Sequence, residues 1–186
     1  MKYIKYFLQF GFVIIFFSIF KILGPKISSD LGGKLFEIIG PIFRSKNIIK
    51  KNLQTAITNI SDREINKISK LMWNNYGRVF AEYMFIKEFR FSELGSNIQV
   101  EGQDILENLK KTNQSAIFIS GHFANFELMA MHIEKSGFDL CAIYRPLNNI
   151  FLNKIMERIR KKYICKNQIK KGIGGIKNLI NFTKKN

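Results

Sequence analysis

His122 and Glu127 lie five positions apart in the stretch Ser120-Gly121-His122-Phe123-Ala124-Asn125-Phe126-Glu127-Leu128, and they are the residues of this chain best suited to acid–base chemistry. A neutral imidazole beside a carboxylate can take a proton from an alcohol near neutral pH, because the carboxylate stabilises the imidazolium that forms. The apolar run 116–119 leads into the stretch and reads as a buried strand that ends in a tight turn at Gly121. Glu127 then falls in the first turn of the next helix, where its charge also suits the helix dipole. Ligands of open α/β sheets sit beyond the carboxyl ends of the strands. Spacing and placement together point to an enzyme acting on a hydroxyl group. The plainer alternatives are a capped or core histidine and a solvated charge at a helix start.

Arg145-Pro146 follows the next strand and comes out on the same sheet edge as His122. The proline pushes Arg145 out of the helical region, so a loop presents the side chain. Its fork of donors suits a phosphate or carbonyl oxygen, with an ordinary surface cation as the other reading. His132 lies inside a helix and reads as a packing residue. Cys141 and Cys165 show no CxxC spacing and no metal-ligand pattern with the two histidines, so they are expected to be free thiols in a reducing compartment.

The elements that must position these groups fall into three stretches. Residues 1–23 form the expected membrane anchor: from Tyr6 to Phe20 only Gln9 and Ser18 are polar, and lysines flank the run. A full span needs about 20 apolar residues. A signal peptide is the competing reading, but Lys21-Ile22-Leu23-Gly24-Pro25-Lys26 offers no small-x-small cleavage site. A very hydrophobic first helix packed on the domain is the third. Residues 24–95 are expected to be helical, with an amphipathic helix over 47–59. Ser61-Asp62-Arg63-Glu64 reads as a capping box that opens a long helix to about residue 87. Along it Ile65, Ile68, Met72, Tyr76, Val79 and Tyr83 form a stripe expected to face core or membrane.

Over residues 96–186 the period changes. Strands are expected at 97–100, 116–119, 140–144 and 163–165, and helices at 104–111, 123–135, 150–162 and 174–182. Such alternation argues for βαβ units. The expected fold is therefore α/β: membrane-anchoring and amphipathic helices, then an incomplete, mostly parallel sheet flanked by helices.

The chain has 186 residues, 46% of them hydrophobic, and a formal net charge of +16. So basic a protein seeks polyanions: anionic lipid, an acidic protein or nucleic acid. The lysines are spread along the chain and no nucleic-acid-binding motif appears, so no nucleic-acid partner is expected.

The Gly121 to Leu128 stretch resembles the signature of the bacterial lipid A biosynthesis (lauroyl/myristoyl) acyltransferases, within the superfamily of glycerolipid-type acyltransferases that share a His-x4-Asp/Glu motif. Asn47 to Leu53, Tyr76-Gly77-Arg78 with Glu82, Ile98 to Gly102, and Tyr144-Arg145-Pro146-Leu147-Asn148-Asn149 extend the resemblance over nearly the whole chain. Ala124 and Phe126 stand where that family often has glycine and tryptophan.

The resemblance implies an O-acyltransferase held by a single N-terminal anchor in the bacterial inner membrane, with its catalytic domain on the cytoplasmic side. It implies acyl carrier protein, or coenzyme A, as acyl donor, and a hydroxyl of an anionic lipid A precursor as acceptor. His122 is then the general base and Glu127 its partner. Arg145, Asn125 and Tyr144 bind substrate, and no metal or cofactor is involved. It also implies a longer chain, with residues 96–186 as part of an α/β acyltransferase domain and loss of activity if the remainder is needed. Two readings stay beside it: a glycerolipid or glycolipid acyltransferase with another acceptor, and a non-catalytic, basic, membrane-anchored binding protein.

Overall fold

The structure is a computed structural model that describes residues 1–184. Helix accounts for 70% of the chain, so the α/β character is confined to one small parallel sheet. The first helix, α1 (Lys2–Leu23), is long and apolar enough to cross a membrane by length and composition. Two compact units follow from the backbone contacts, one of residues 16–85 and one of residues 1–15 with 86–186.

In the first of these units α2 (Pro25–Phe43), α3 (Lys46–Ala56) and α4 (Asp62–Glu82) lead into a 3₁₀ turn, Tyr83–Phe85. Pro25 sits at the start of α2, where its missing N–H costs nothing. The capping box forms as expected: the Ser61 hydroxyl accepts from the Glu64 N–H, and the Glu64 carboxylate accepts from the Ser61 N–H at 3.0 Å. The Ser61 hydroxyl also donates to Glu64 Oε2 at 2.6 Å, and that bond, together with the one from the Ser61 N–H, lowers the Glu64 pKa.

The buried face of α4 is Ile65, Trp73, Gly77 and Ala81; of the expected stripe Ile65 and Tyr83 are buried, whereas Tyr76 is exposed. Small residues decide the change. Gly32 of α2 and Gly77 of α4 meet backbone to backbone, and a Cβ on Gly77 would stand 2.0 Å from the Gly32 carbonyl oxygen. Glycine inside a helix costs about 1 kcal/mol against alanine, so the seam keeps its glycines for closeness of approach. Trp73 covers Gly40 in the same way, and Phe36 and Phe17 pack on Phe80.

The other unit contains α5 (Ile86–Phe91), a 3₁₀ turn at Glu93–Asn97, α6 (Gln103–Lys111), α7 (Glu127–Lys135), β1 (Cys141–Tyr144), α8 (Ile150–Tyr163), β2 (Asn167–Lys170) and α9 (Ile173–Thr183). The strands are parallel, with Ile143 opposite Ile169 and Tyr144 opposite Lys170. The unit is thus one βαβ turn with α8 as its crossover. Three expected strands differ. Residues 97–100 and 116–119 form no strand, and residue 163 closes α8 while the pairing strand comes at Asn167–Lys170. A strand exists only where a partner takes its backbone groups, and an apolar run does not disclose its partner. Ile117 and Ile119 are each 92% exposed. Cys141 and Cys165 are free thiols, and burial raises both pKa values, that of Cys165 to about 11.

Candidate active site

The loop before α7 carries His122. The side chain is exposed, and its ring packs edge-on against Phe126 with centroids 4.3 Å apart. The Phe123 ring folds back over Gly121, where a Cβ would meet it at 2.4 Å. Between the two motif residues the backbone makes a sharp turn: Ala124 has φ +45°, in the left-handed region that favours glycine, and the Asn125 carbonyl accepts from the Leu128 N–H at 3.1 Å. That turn ends the loop and starts α7 with Glu127 in its first turn.

Glu127 is buried at 6% exposure. An isolated carboxylate there would be costly, and Arg160 of α8 compensates it. Its Nε and Nη2 both donate to Glu127 Oε1, at 2.8 and 2.5 Å. Among the described residues no hydrogen bond joins His122 to Glu127, and both bonds of Glu127 fall on one oxygen.

Tyr144 ends β1 and turns its ring toward the same arginine, whose guanidinium lies 5.8 Å from the ring centroid. The Tyr144 hydroxyl donates to Glu157 Oε1 of α8, which also accepts from Asn153 Nδ2 at 2.9 Å and pairs with Lys170 Nζ at 3.0 Å. Three donors on one oxygen, the tyrosine hydroxyl foremost, hold the Glu157 pKa down at about 2. Burial, with the acceptor Glu157, raises the Tyr144 phenol well above its ordinary value.

Of the five site residues expected from sequence, the fold joins Glu127 and Tyr144 through Arg160. His122 and Arg145 are exposed on their loops, and Asn125 is half-buried between His122 and α7. The expectation missed Arg160, Glu157, Asn153 and Asn149. Their signal was there: polar residues at 149, 153, 157 and 160 recur at helical spacing, the first just before the helix expected at 150–162 and the others within it. Asn149 caps α8, accepting from the Phe151 and Leu152 N–H groups, and Asn153 Oδ1 accepts from the Leu147 N–H at 2.8 Å. One polar face of α8 thus fixes the loop that follows Tyr144-Arg145-Pro146.

A family model described as bacterial lipid A biosynthesis acyltransferase matches residues 1–186, and the chain belongs to that family. It is an acyltransferase. No curated protein and no solved structure matches it.

Proposed function

We propose that this acyltransferase moves a fatty acyl group from the thioester of acyl carrier protein, or of coenzyme A, to a hydroxyl of an anionic lipid A precursor, on the cytoplasmic side of a bacterial inner membrane. One observation carries the reading. An exposed histidine lies within five positions in sequence of three exposed apolar side chains, Ile117 (92%), Ile119 (92%) and Phe123 (84%), and a buried carboxylate follows it. A group that takes a proton from an alcohol, in a segment with uncovered apolar side chains that a long chain could cover, suits O-acylation with a fatty acyl donor.

In this reading the His122 imidazole accepts the acceptor's hydroxyl proton as the oxygen attacks the thioester carbonyl. The C–O bond forms, the C–S bond breaks, and the proton returns to the departing thiolate. No acyl-enzyme is required. Glu127 stabilises the imidazolium, approached through Oε2, because Arg160 engages Oε1. Arg145, reaching from its loop, binds a phosphate of the acceptor or the developing oxyanion. Asn125 and Tyr144 line the substrate. The single apolar helix α1 and the charge of +16 support an anchored enzyme that meets an acidic carrier and an anionic lipid.

The deciding experiment is acyl transfer in membranes, with radiolabelled acyl carrier protein and acyl coenzyme A as separate donors and a lipid A precursor as acceptor. Transfer should fall by roughly 10²–10⁴-fold in His122→Ala, the range typical for loss of a general base. Transfer unchanged in that variant would remove His122 from the chemistry. Transfer to a glycerolipid but not to the precursor would assign a different acceptor.

A further inference from the structure

The first two turns of α1 and the start of α8 enclose a groove of about 660 Å³ that the acyl-transfer reading does not use. Lys2, Lys5 and Gln9 form one wall, and Leu147, Asn148 and Asn149 form the other. Among the described residues no acidic one lines it. Two lysines and three amide side chains, those of Gln9, Asn148 and Asn149, therefore line one open space with no carboxylate to neutralise the charge.

The groove is built rather than accidental. Asn149 is 7% exposed, and its Nδ2 donates to the Tyr6 carbonyl at 2.8 Å while its Oδ1 caps α8. A single buried amide thus ties both walls together. Phe151 adds a hydrophobic clasp, its ring lying 5.9 Å from Phe7 and 5.8 Å from Phe10. Outside the groove, beside Lys5, Ile4, Leu8, Phe12 and Ile15 follow one another at helical spacing and are each 60% exposed or more. Charge on one face and an uncovered apolar stripe alongside match a ligand with an anionic head and hydrocarbon tails.

We propose that this groove binds the phosphate headgroup of an anionic bilayer glycerophospholipid, its phosphate between Lys2 and Lys5 and its acyl chains along Ile4, Leu8, Phe12 and Ile15. The two lysine tethers, three positions apart on the α1 wall, are long enough to meet on one phosphate, and the amide of Asn148 on the other wall supplies a neutral donor. The inference depends on α1 and the α8 loop alone, so it stands or falls separately from acyl transfer at His122.

The test is equilibrium binding to the full chain in maltoside micelles. Three probes are compared: short-chain phosphatidylglycerol, phosphatidylcholine of the same chain length, and inorganic phosphate. Saturable binding of phosphatidylglycerol at least tenfold tighter than of phosphatidylcholine is expected, with none of inorganic phosphate. The double variant Lys2→Gln/Lys5→Gln should weaken phosphatidylglycerol at least tenfold, whereas Lys26→Gln and His122→Ala should bind as the parent does. All four side chains are exposed, so the fold is not at stake. Equal affinity for the two lipids, undiminished affinity in the double variant, or phosphate bound as tightly as phosphatidylglycerol would each overturn the proposal.

Discussion

Arg160 grips Glu127 with two hydrogen bonds to a single carboxylate oxygen, and the same guanidinium lies over the ring of Tyr144. One arginine therefore joins the start of α7 to the end of β1. Two stretches that sequence distinguishes only as separate motifs share a support on α8.

Removing that support should be costly. Arg160→Met leaves the Glu127 charge buried without its partner, and breaking a buried pair from one side costs about 3–5 kcal/mol. Urea unfolding of the chain in detergent should show a loss of that order. The double variant Arg160→Met/Glu127→Gln should recover much of it, because the uncompensated charge goes as well. Additive losses in the double variant would mean that the two residues do not act as a pair.

Acid should act through Glu157. Its folded pKa of about 2 lies below the ordinary value of 4.5. The stability it lends is then present above about pH 4.5 and drains away as pH falls toward 2. Tyr144→Phe removes the leading cause of the depression, so the acid limb of a melting-temperature profile should become shallower and end at a higher pH, with its onset unchanged. Tyr144 has the opposite sign: its raised pKa adds stability below its ordinary 10.0 that is lost at higher pH, so the same variant should flatten the alkaline limb.

The glycine seam between α2 and α4 tolerates no side chain. A Cβ at position 77 would stand 2.0 Å from the Gly32 carbonyl oxygen and 2.8 Å from the Phe36 Cβ, and neither helix backbone can yield. Gly77→Val should cost about 3 kcal/mol or more, in the range of severe overpacking. Gly11→Ala, where nothing lies within 4 Å, should be neutral or slightly stabilising. Thermal unfolding followed by circular dichroism distinguishes them.

At Ala124 the prediction runs the other way. A φ of +45° strains any residue with a Cβ, by roughly 1–2 kcal/mol. Ala124→Gly relieves the strain and gives back part of the gain through the looser unfolded chain, for a net stabilisation of about 0.5–1 kcal/mol. A drop in melting temperature in this variant would show that the turn does not hold this conformation.

Much of this protein was legible from residue order, for identifiable physical reasons. The apolar run of α1, the Ser61–Glu64 box and the helices at 103–111, 150–163 and 173–183 depend on neighbours a few positions away. Local spacing therefore suffices to read them. The His122-to-Glu127 motif is local in the same sense.

Tertiary structure alone decided what depended on distant partners. Residues 116–119, Ala-Ile-Phe-Ile, carry far more strand propensity than Asn167–Lys170, yet only the second segment pairs, because β1 takes up its backbone groups. Trp73 rather than Tyr76 turns inward because Gly32, Gly40 and Gly77 let α2 come close. Glu127 is matched with Arg160, 33 positions away, because a buried carboxylate must find a cation wherever the fold brings one within reach. Sequence places the residues of the locally determined helices. The pairing of charges and strands between elements is settled only when burial makes an unpaired group too costly to leave.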